Sequence, residues 1–349
     1  DVDQPAAARN HSQRVLADAL AVYDLFARVD DSITPAAMRD LLGASSGRVS
    51  TTLEEAVTSL SSVFLTDRRS VGRESRDELY AAIDAVSAAV DAGHARGEAY
   101  SLQALDPDAA SLRNLARSDL AVRVALAELN PFVVRGINYD GRAQELSVQD
   151  PATGQGELTD SWLADRSAML ARQEIVNRND GYDGSLSTGP ATAFADLTLN
   201  RVVFSKAPGA APFRHVVFGS EANDSALAGD ALDDRLYGMA GNDAIDGLGG
   251  ADTIEGGSGA DQLAGGDGVD RLRGGGDADT LDGGAGGDLL YGDAGTDTLH
   301  GGAGEDWLEG GRDRDRLEGG ADFDHYTVRN DGQPDEVVDA DGRGELIFA

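Results

Sequence analysis

The sequence predicts a multidomain α + β protein, in which an N-terminal α-helical bundle precedes a solenoid of short β-strands. Three observations carry this expectation. Residues 1 to about 180 place apolar side chains at helical spacing in several separate segments. From Gly219 onward a nine-residue phrase repeats with a large side chain at a fixed place in each copy. Between them, residues 181–218 carry runs of β-branched and aromatic residues typical of strands.

The helical half divides at its polar punctuation. NHSQRVLADALAVYDLFARVD carries Val15, Leu16, Ala19, Leu20, Tyr23, Leu25 and Phe26 close to a helical period. TPAAMRDLL, STTLEEAVTSLSSVFL and RESRDELYAAIDAVSAAVDAG follow, each opened by a polar residue or an early proline. DPDAASLRNLARSDLAVRVALAEL reads as one helix, with Asp106 as cap and Pro107 in the first turn. INYDGRAQELSVQDPATGQG is expected to be a hairpin, after which Thr159 or Asp160 caps LTDSWLADRSAMLARQEIVN. Such amphipathic segments must bury their stripes against each other, so a bundle over 1–180 is the expected arrangement. In the connecting segment 181–218, GYDGSLSTGP reads as loop, and FADLTLNRVVF and FRHVVFG as strands.

The repeat is regular at three positions. Aspartates recur every nine residues at Asp234, Asp243, Asp252, Asp261, Asp270, Asp279, Asp288, Asp297, Asp306, Asp315 and Asp324. Two residues after each stands a large side chain, from Leu236 and Ile245 to Leu317 and Tyr326, and a glycine opens every unit from Gly229 to Gly319. Glycine admits positive φ and lets carbonyls turn toward a common point. Aspartate adds a hard carboxylate oxygen, and calcium takes six to eight such oxygens. The large residue can point inward from a short strand and stack. One unit then makes a turn and a strand, two units make one coil, and loops 18 residues apart lie above one another and share ions. GSEANDSALAG, with Asp224 in the acidic place, reads as an imperfect first unit.

The consensus GGxGxDxUx, with U large and apolar, resembles the RTX (repeats-in-toxin, hemolysin-type) calcium-binding repeats of proteins secreted by Gram-negative bacteria. The resemblance covers residues 219–327. It implies a parallel β-roll, a β-solenoid with calcium between successive loops. The eleven aspartates would be ligands, with backbone carbonyls near Gly247, Gly256, Gly265, Gly274, Gly283, Gly292 and Gly301. Glycine is replaced at the second position by Asp230, Met239, Leu248 and Asp293, and at the fourth by Leu232, Asp277, Asp313 and Asp322. Aspartate tolerates left-handed geometry, so some of these loops can still close. Full sites are expected mid-array, at Asp252, Asp261, Asp270, Asp288, Asp297 and Asp306, and a weaker one in GGRDRD beside Arg312 and Arg314. Residues 328–349, with HYTVRN running into DEVVDADGRG and ELIFA, resemble the β cap that follows such arrays, here expected to be truncated. Asp339 and Asp341 are read as a turn rather than an ion site.

Charge narrows the function classes. The chain holds 62 acidic and 29 basic residues, a formal charge of −33, with Lys206 its one lysine. Residues 219–349 hold 32 acidic and 8 basic residues. Such a balance argues against nucleic acid, which needs a basic surface, and against anionic membranes. No apolar run reaches a membrane span, and DVDQPAAARN has no signal-peptide pattern. Cysteine is absent, so no disulfide holds the fold. The family resemblance implies type I secretion to the exterior without a cleaved N-terminal signal. Its partners would be calcium ions and the secretion machinery, and the chain would be the C-terminal portion of a larger protein whose effector domain lies upstream.

Enzymatic chemistry finds little support in these residues. His11, His94, His215, His300 and His325 form no HExxH and are read as surface or packing residues. GASSG at 43–47 has the letters of a nucleophile elbow but follows a helix. Asp106–Pro107 and Asp150–Pro151 are read as a helix start and a turn rather than self-cleavage sites. LARSDLAVRVALAELNPFVVRGINYD and LTDSWLADRSAML are similar to the stretch preceding the array in large RTX proteins, which would give Trp162, Leu163 and Arg166 a docking role. No catalytic residue is assigned. The expected function is a calcium-binding module folding on extracellular calcium. Alternatives are part of a lipase-like hydrolase or self-processing toxin, and a calcium-dependent adhesin or surface-layer scaffold.

Overall fold

The computed structural model describes residues 6–34, 36–38, 41, 52–65, 76–106, 108–149, 156–178, 191–199, 201–205, 212–329 and 332–349. Two compact units emerge, one of residues 1–148 with 158–183, the other of 149–157 with 184–349. The α + β expectation holds: a helical region precedes a parallel β-solenoid that begins near residue 192.

The helical unit contains α1 (Ala6–Val29), α2 (Thr52–Phe64), α3 (Arg76–Ala95), α4 (Ala109–Ala116), α5 (Leu120–Ala127) and α6 (Asp160–Arg178). Residues 36–38 and 41 add helical turn between α1 and α2. Val22, Leu25, Phe26 and Val29 of α1 meet Val57 and Leu60 of α2 and Leu79, Val86 and Val90 of α3 in one core. Leu20, expected on the apolar stripe of α1, is instead 59% exposed. Sequence periodicity missed a small antiparallel sheet, β1 (Ser101–Ala104) with β2 (Phe132–Arg135). It delivers Phe132 to that core, edge-on to Phe26 at 5.6 Å between ring centroids.

The helix expected from Asp106 to Leu129 is two helices. Asp108, not Asp106, caps the first by accepting from the Ser111 N–H at 2.8 Å. Asp119 then captures the Ala121 and Val122 N–H groups and starts α5 afresh. A half-buried aspartate cap competes with continuation, so the chain turns at 117–119. α5 ends with Leu129 at φ 50°, while Asn130 N–H donates to the Ala125 carbonyl and Leu129 N–H to the Leu126 carbonyl. That is a helix-ending motif in which leucine fills the place glycine usually takes. Arg166 of α6 donates to the carbonyls of Leu126 (2.8 Å) and Ala127 (2.5 Å), where a cation suits the negative helix end. Thr159 caps α6, its hydroxyl accepting from Trp162 N–H at 3.0 Å. Trp162, Leu163 and Arg166 are all buried.

No hairpin occupies the described part of 137–156. Residues 140–142 form a 3-10 turn, and Val148 pairs with Leu158 in a parallel bridge. Pro107, both residues of Asp150–Pro151, GASSG and GYDGSLSTGP lie outside the described residues.

The solenoid has two sheets. One joins in order β19 (Gly344–Phe348), β17 (Asp324–Val328), β15 (Trp307–Arg312), β13 (Leu289–Ala294), β11 (Arg271–Gly276), β9 (Thr253–Ser258), β7 (Arg235–Ala240), β5 (Arg214–Phe218), β3 (Thr192–Asp196) and β4 (Arg201–Phe204). The other joins β18 (Glu336–Val338), β16 (Arg316–Ala321), β14 (Thr298–Ala303), β12 (Thr280–Ala285), β10 (Gln262–Asp267), β8 (Ala244–Asp246) and β6 (Leu227–Ala228). Consecutive repeats alternate between the sheets, so each strand pairs with the one 18 residues away: Leu263 with Leu281, Leu272 with Leu290. Every pairing among these strands is parallel except β3 (Thr192–Asp196) with β4 (Arg201–Phe204). Leu227, Leu236, Ile245, Ile254, Leu263, Leu272, Leu281, Leu290, Leu299, Leu308, Leu317 and Tyr326 form the enclosed core, none more than 4% exposed.

Both ends of the coil exceed the nonapeptide array. β5 (Arg214–Phe218) pairs with β7 (Arg235–Ala240), so the connecting strands join the first sheet. At the other end β18 (Glu336–Val338) pairs with β16 (Arg316–Ala321), and β19 (Gly344–Phe348) with β17 (Asp324–Val328). The last segment is one more turn of the same coil.

Candidate metal centre

The repeat aspartates form two ladders. In the first, each backbone N–H donates to the Oδ1 of the aspartate 18 residues on: Asp234 to Asp252 (2.7 Å), Asp252 to Asp270, Asp270 to Asp288 and Asp288 to Asp306 (each 2.8 Å), and Asp306 to Asp324 (3.1 Å). The second ladder joins Asp243, Asp261, Asp279, Asp297 and Asp315 at 2.8–2.9 Å. It starts at Asp224, whose N–H donates to Asp243 at 2.7 Å, and ends at Asp335, which accepts from Asp315 at 3.2 Å. Asp224 was legible as the acidic place of an imperfect unit. Asp335 was not, because the last turn is two residues longer and places it 20 residues beyond Asp315.

One carboxylate oxygen is thereby satisfied and the other is not. The Oδ2 atoms of Asp243, Asp252, Asp261, Asp270, Asp279, Asp288, Asp297, Asp306, Asp315 and Asp324 are buried and find no hydrogen-bond donor. Asp234 differs, since its Oδ2 accepts from Asp230 N–H at 2.7 Å. Asp224 is closed in the same way by Ser220 N–H.

The opening glycine of each unit explains where the free oxygen points. A Cβ on Gly265 would lie 2.5 Å from Asp270 Oδ2 and 2.6 Å from the Gly283 carbonyl oxygen. The same pairing of a free Oδ2 with the carbonyl one coil on recurs at Gly238, Gly247, Gly256, Gly283, Gly292 and Gly301. So the carbonyls of Gly256, Gly265, Gly274, Gly283, Gly301, Gly310 and Gly319 each approach a buried carboxylate oxygen. The Gly247 carbonyl lies in the same way beside the Oδ2 of Asp234. At the last unit Tyr326 replaces the carbonyl: its hydroxyl lies beside Gly319 and accepts that residue's N–H at 3.1 Å.

The second and fourth positions supply the bend. Among the substituted second positions Met239 (φ 83°), Leu248 (φ 70°) and Asp293 (φ 76°) are left-handed, and so are Asp277, Asp313 and Asp322 at the fourth. The loops therefore close in spite of the missing glycines. Asp230 and Leu232 are the exceptions, and they belong to the loop whose aspartate is already satisfied.

Electrostatics mark the same atoms. Burial pushes the Asp279 carboxyl up to about 8, those of Asp252, Asp261, Asp297 and Asp306 to about 7, and those of Asp243 and Asp288 to about 6. Burial likewise raises Asp234, Asp270 and Asp324. The ladder N–H opposes each rise, and carboxylates one coil away add to it at most positions. Carboxylate oxygens without a hydrogen-bond partner thus lie buried, most of them beside a backbone carbonyl of the next coil. Hard oxygens of this kind, carboxylate and carbonyl together, suit a calcium ion.

The RTX calcium-binding nonapeptide repeat family matches the chain in four copies, at residues 228–263, 255–290, 264–299 and 291–326. Residues 228–326 are an RTX repeat array. No curated protein matches the chain at a significant level. The module is therefore calcium-binding, on a β-solenoid, and the RTX loops are the turns that carry the free Oδ2 atoms. Among the described residues no helix is long and apolar enough to cross a membrane.

The described histidines stand apart from the RTX loops' free oxygens. His94 packs against Tyr100, His300 pairs with Asp282 at 3.2 Å, and His325 stacks on Trp307 between Glu305 and Glu345. His215 lies near Asp230 and Asp234. The side chain of His11 lies outside the described residues.

Proposed function

We propose that this chain is the calcium-folded RTX module of a type I secreted protein, and that it supports a separate effector domain outside the cell. The observation that carries the reading is the set of ten buried Oδ2 atoms without donors, most beside a carbonyl of the next coil. Each of Asp243, Asp252, Asp261, Asp270, Asp279, Asp288, Asp297, Asp306, Asp315 and Asp324 would give its Oδ2 to calcium and its Oδ1 to the ladder. Asp234 is a weaker ligand, because Asp230 N–H occupies its Oδ2. Without cations these carboxylates oppose the compact state, and glycine raises the cost of ordering the loops. Binding energy is then folding energy. Extracellular modules bind calcium at about 10⁻⁴ to 10⁻³ M, far above cytosolic levels. The array would stay unfolded inside the cell, pass a secretion channel as a chain, and collapse outside.

Far-UV circular dichroism during a calcium titration, with magnesium as control, tests this. A cooperative gain of β signal with a sub-millimolar to millimolar midpoint, over a constant helical signal, is the expected result. A spectrum indifferent to calcium would sink the proposal. Asp270→Asn, which keeps the shape but weakens a mid-array ligand, should raise the midpoint.

A further inference from the structure

We propose that His215, Asp230 and Asp234 form a transition-metal site, suited to zinc, at the N-terminal mouth of the first aspartate ladder. The His215 N–H donates to Asp234 Oδ1 at 2.5 Å, as each later aspartate N–H does to the next. An imidazole therefore stands where every later coil of that ladder presents a carboxylate. Asp230 occupies the second position of its loop yet is not left-handed, and its N–H closes the Asp234 Oδ2. Its own carboxylate instead faces the ring.

The three side chains converge. His215 Nδ1 lies 3.7 Å from Asp234 Oδ2 and 3.8 Å from Asp230 Oδ2, and one ligand atom from each residue falls within 4.8 Å of the others. These separations exceed hydrogen-bond length. They approach the edge of about 3.3–3.4 Å that follows from tetrahedral geometry with zinc bonds of about 2.0–2.1 Å. The donor set decides the ion: imidazole suits zinc and its neighbours, whereas calcium prefers oxygen alone. Asp234 is fully buried and fixed by two backbone N–H groups, while His215 and Asp230 are partly exposed. An ion can reach the site and keep a water. It would tie β5 to the first repeat loop, and it stands apart from the ten free calcium-facing oxygens.

Titration of the metal-depleted full chain with zinc by calorimetry, in millimolar calcium, tests the site, with cobalt(II) absorption reporting geometry. One equivalent of zinc should bind, and cobalt should give the intense visible bands of a four-coordinate site. His215→Ala and Asp230→Asn should each weaken binding by more than about 100-fold, since even outer-shell losses cost 10–100-fold. The calcium-dependent dichroism of both variants should match the parent, which separates a lost ligand from a lost fold. Absence of a zinc equivalent, binding that survives both substitutions, or binding erased by calcium overturns the proposal.

Discussion

At the scale of single residues, the glycines of the array divide their labour. Opening glycines are needed for space, because a Cβ there would strike a carboxylate oxygen and mostly a carbonyl too. Second- and fourth-position residues are needed for left-handed φ, which Met239 and Leu248 adopt against the preference of a bulky side chain. Left-handed geometry costs a non-glycine residue about 1–2 kcal/mol. Leu248→Gly should therefore stabilise the calcium-loaded array by about 1 kcal/mol, after some loss to unfolded-chain entropy. Urea unfolding at saturating calcium measures this. Gly265→Ala should do the reverse and weaken calcium binding, because no shift of a flexible side chain can clear the Gly283 carbonyl.

The buried carboxyls also set a pH dependence. Their folded-state values lie above the value of about 3.9 in an unfolded chain. The metal-free folded array thus holds protons that the unfolded chain releases. That stabilisation is full below about pH 4 and is lost as pH rises through the range of about 6 to 8. Calcium must displace the same protons. Its midpoint concentration should fall as pH rises from 5.5 to 8, with proton release detectable by calorimetry in buffers of different ionisation enthalpy. A midpoint independent of pH would mean that other groups bind the ion.

At the scale of elements, what was legible depended on whether a period carried the information. Aspartate and leucine recur at nine, so the coil, its 18-residue pairing and the column of core leucines could all be read before any coordinates. Asp335 escaped because two added residues break the period at the last turn. The helical half has no such redundancy. Nothing in DPDAASLRNLARSDL distinguishes Asp108 from Asp106 as cap, and the new start at Asp119 depends on where the chain must turn to pack. FVVR, just after the expected helix, has no period of its own and becomes a strand only because β1 is there to pair with it. Asp119→Ala should destabilise the helical unit by about 1 kcal/mol, the usual value of an N-cap, without moving the calcium midpoint of the β signal. Leu281→Ala should cost about 2–5 kcal/mol in the solenoid, because that core column is enclosed on every side.

At the scale of the whole molecule, two units with separate cores and opposite demands share one chain. The helical unit closes on Val22, Phe26, Leu60, Val86 and Phe132, and none of its core depends on the array carboxylates. The solenoid core is a single column of side chains, and residues 219–349 around it carry a net charge of −24. Ligand that binds only the folded state stabilises it by about 2.7 kcal/mol per independent site at a hundredfold excess over Kd. Several sites add, so calcium can move the solenoid from unfolded to the more stable of the two units. Differential scanning calorimetry should show this directly. Without calcium, one transition belonging to the helical unit is expected; with rising calcium, a second should emerge and travel upward past the first. Magnesium, which dehydrates reluctantly and demands a tighter octahedron, should leave the second transition absent. A single transition shifted as a whole by calcium would mean that the two units fold as one, and the metal-free array would then be held by the helices rather than released from them.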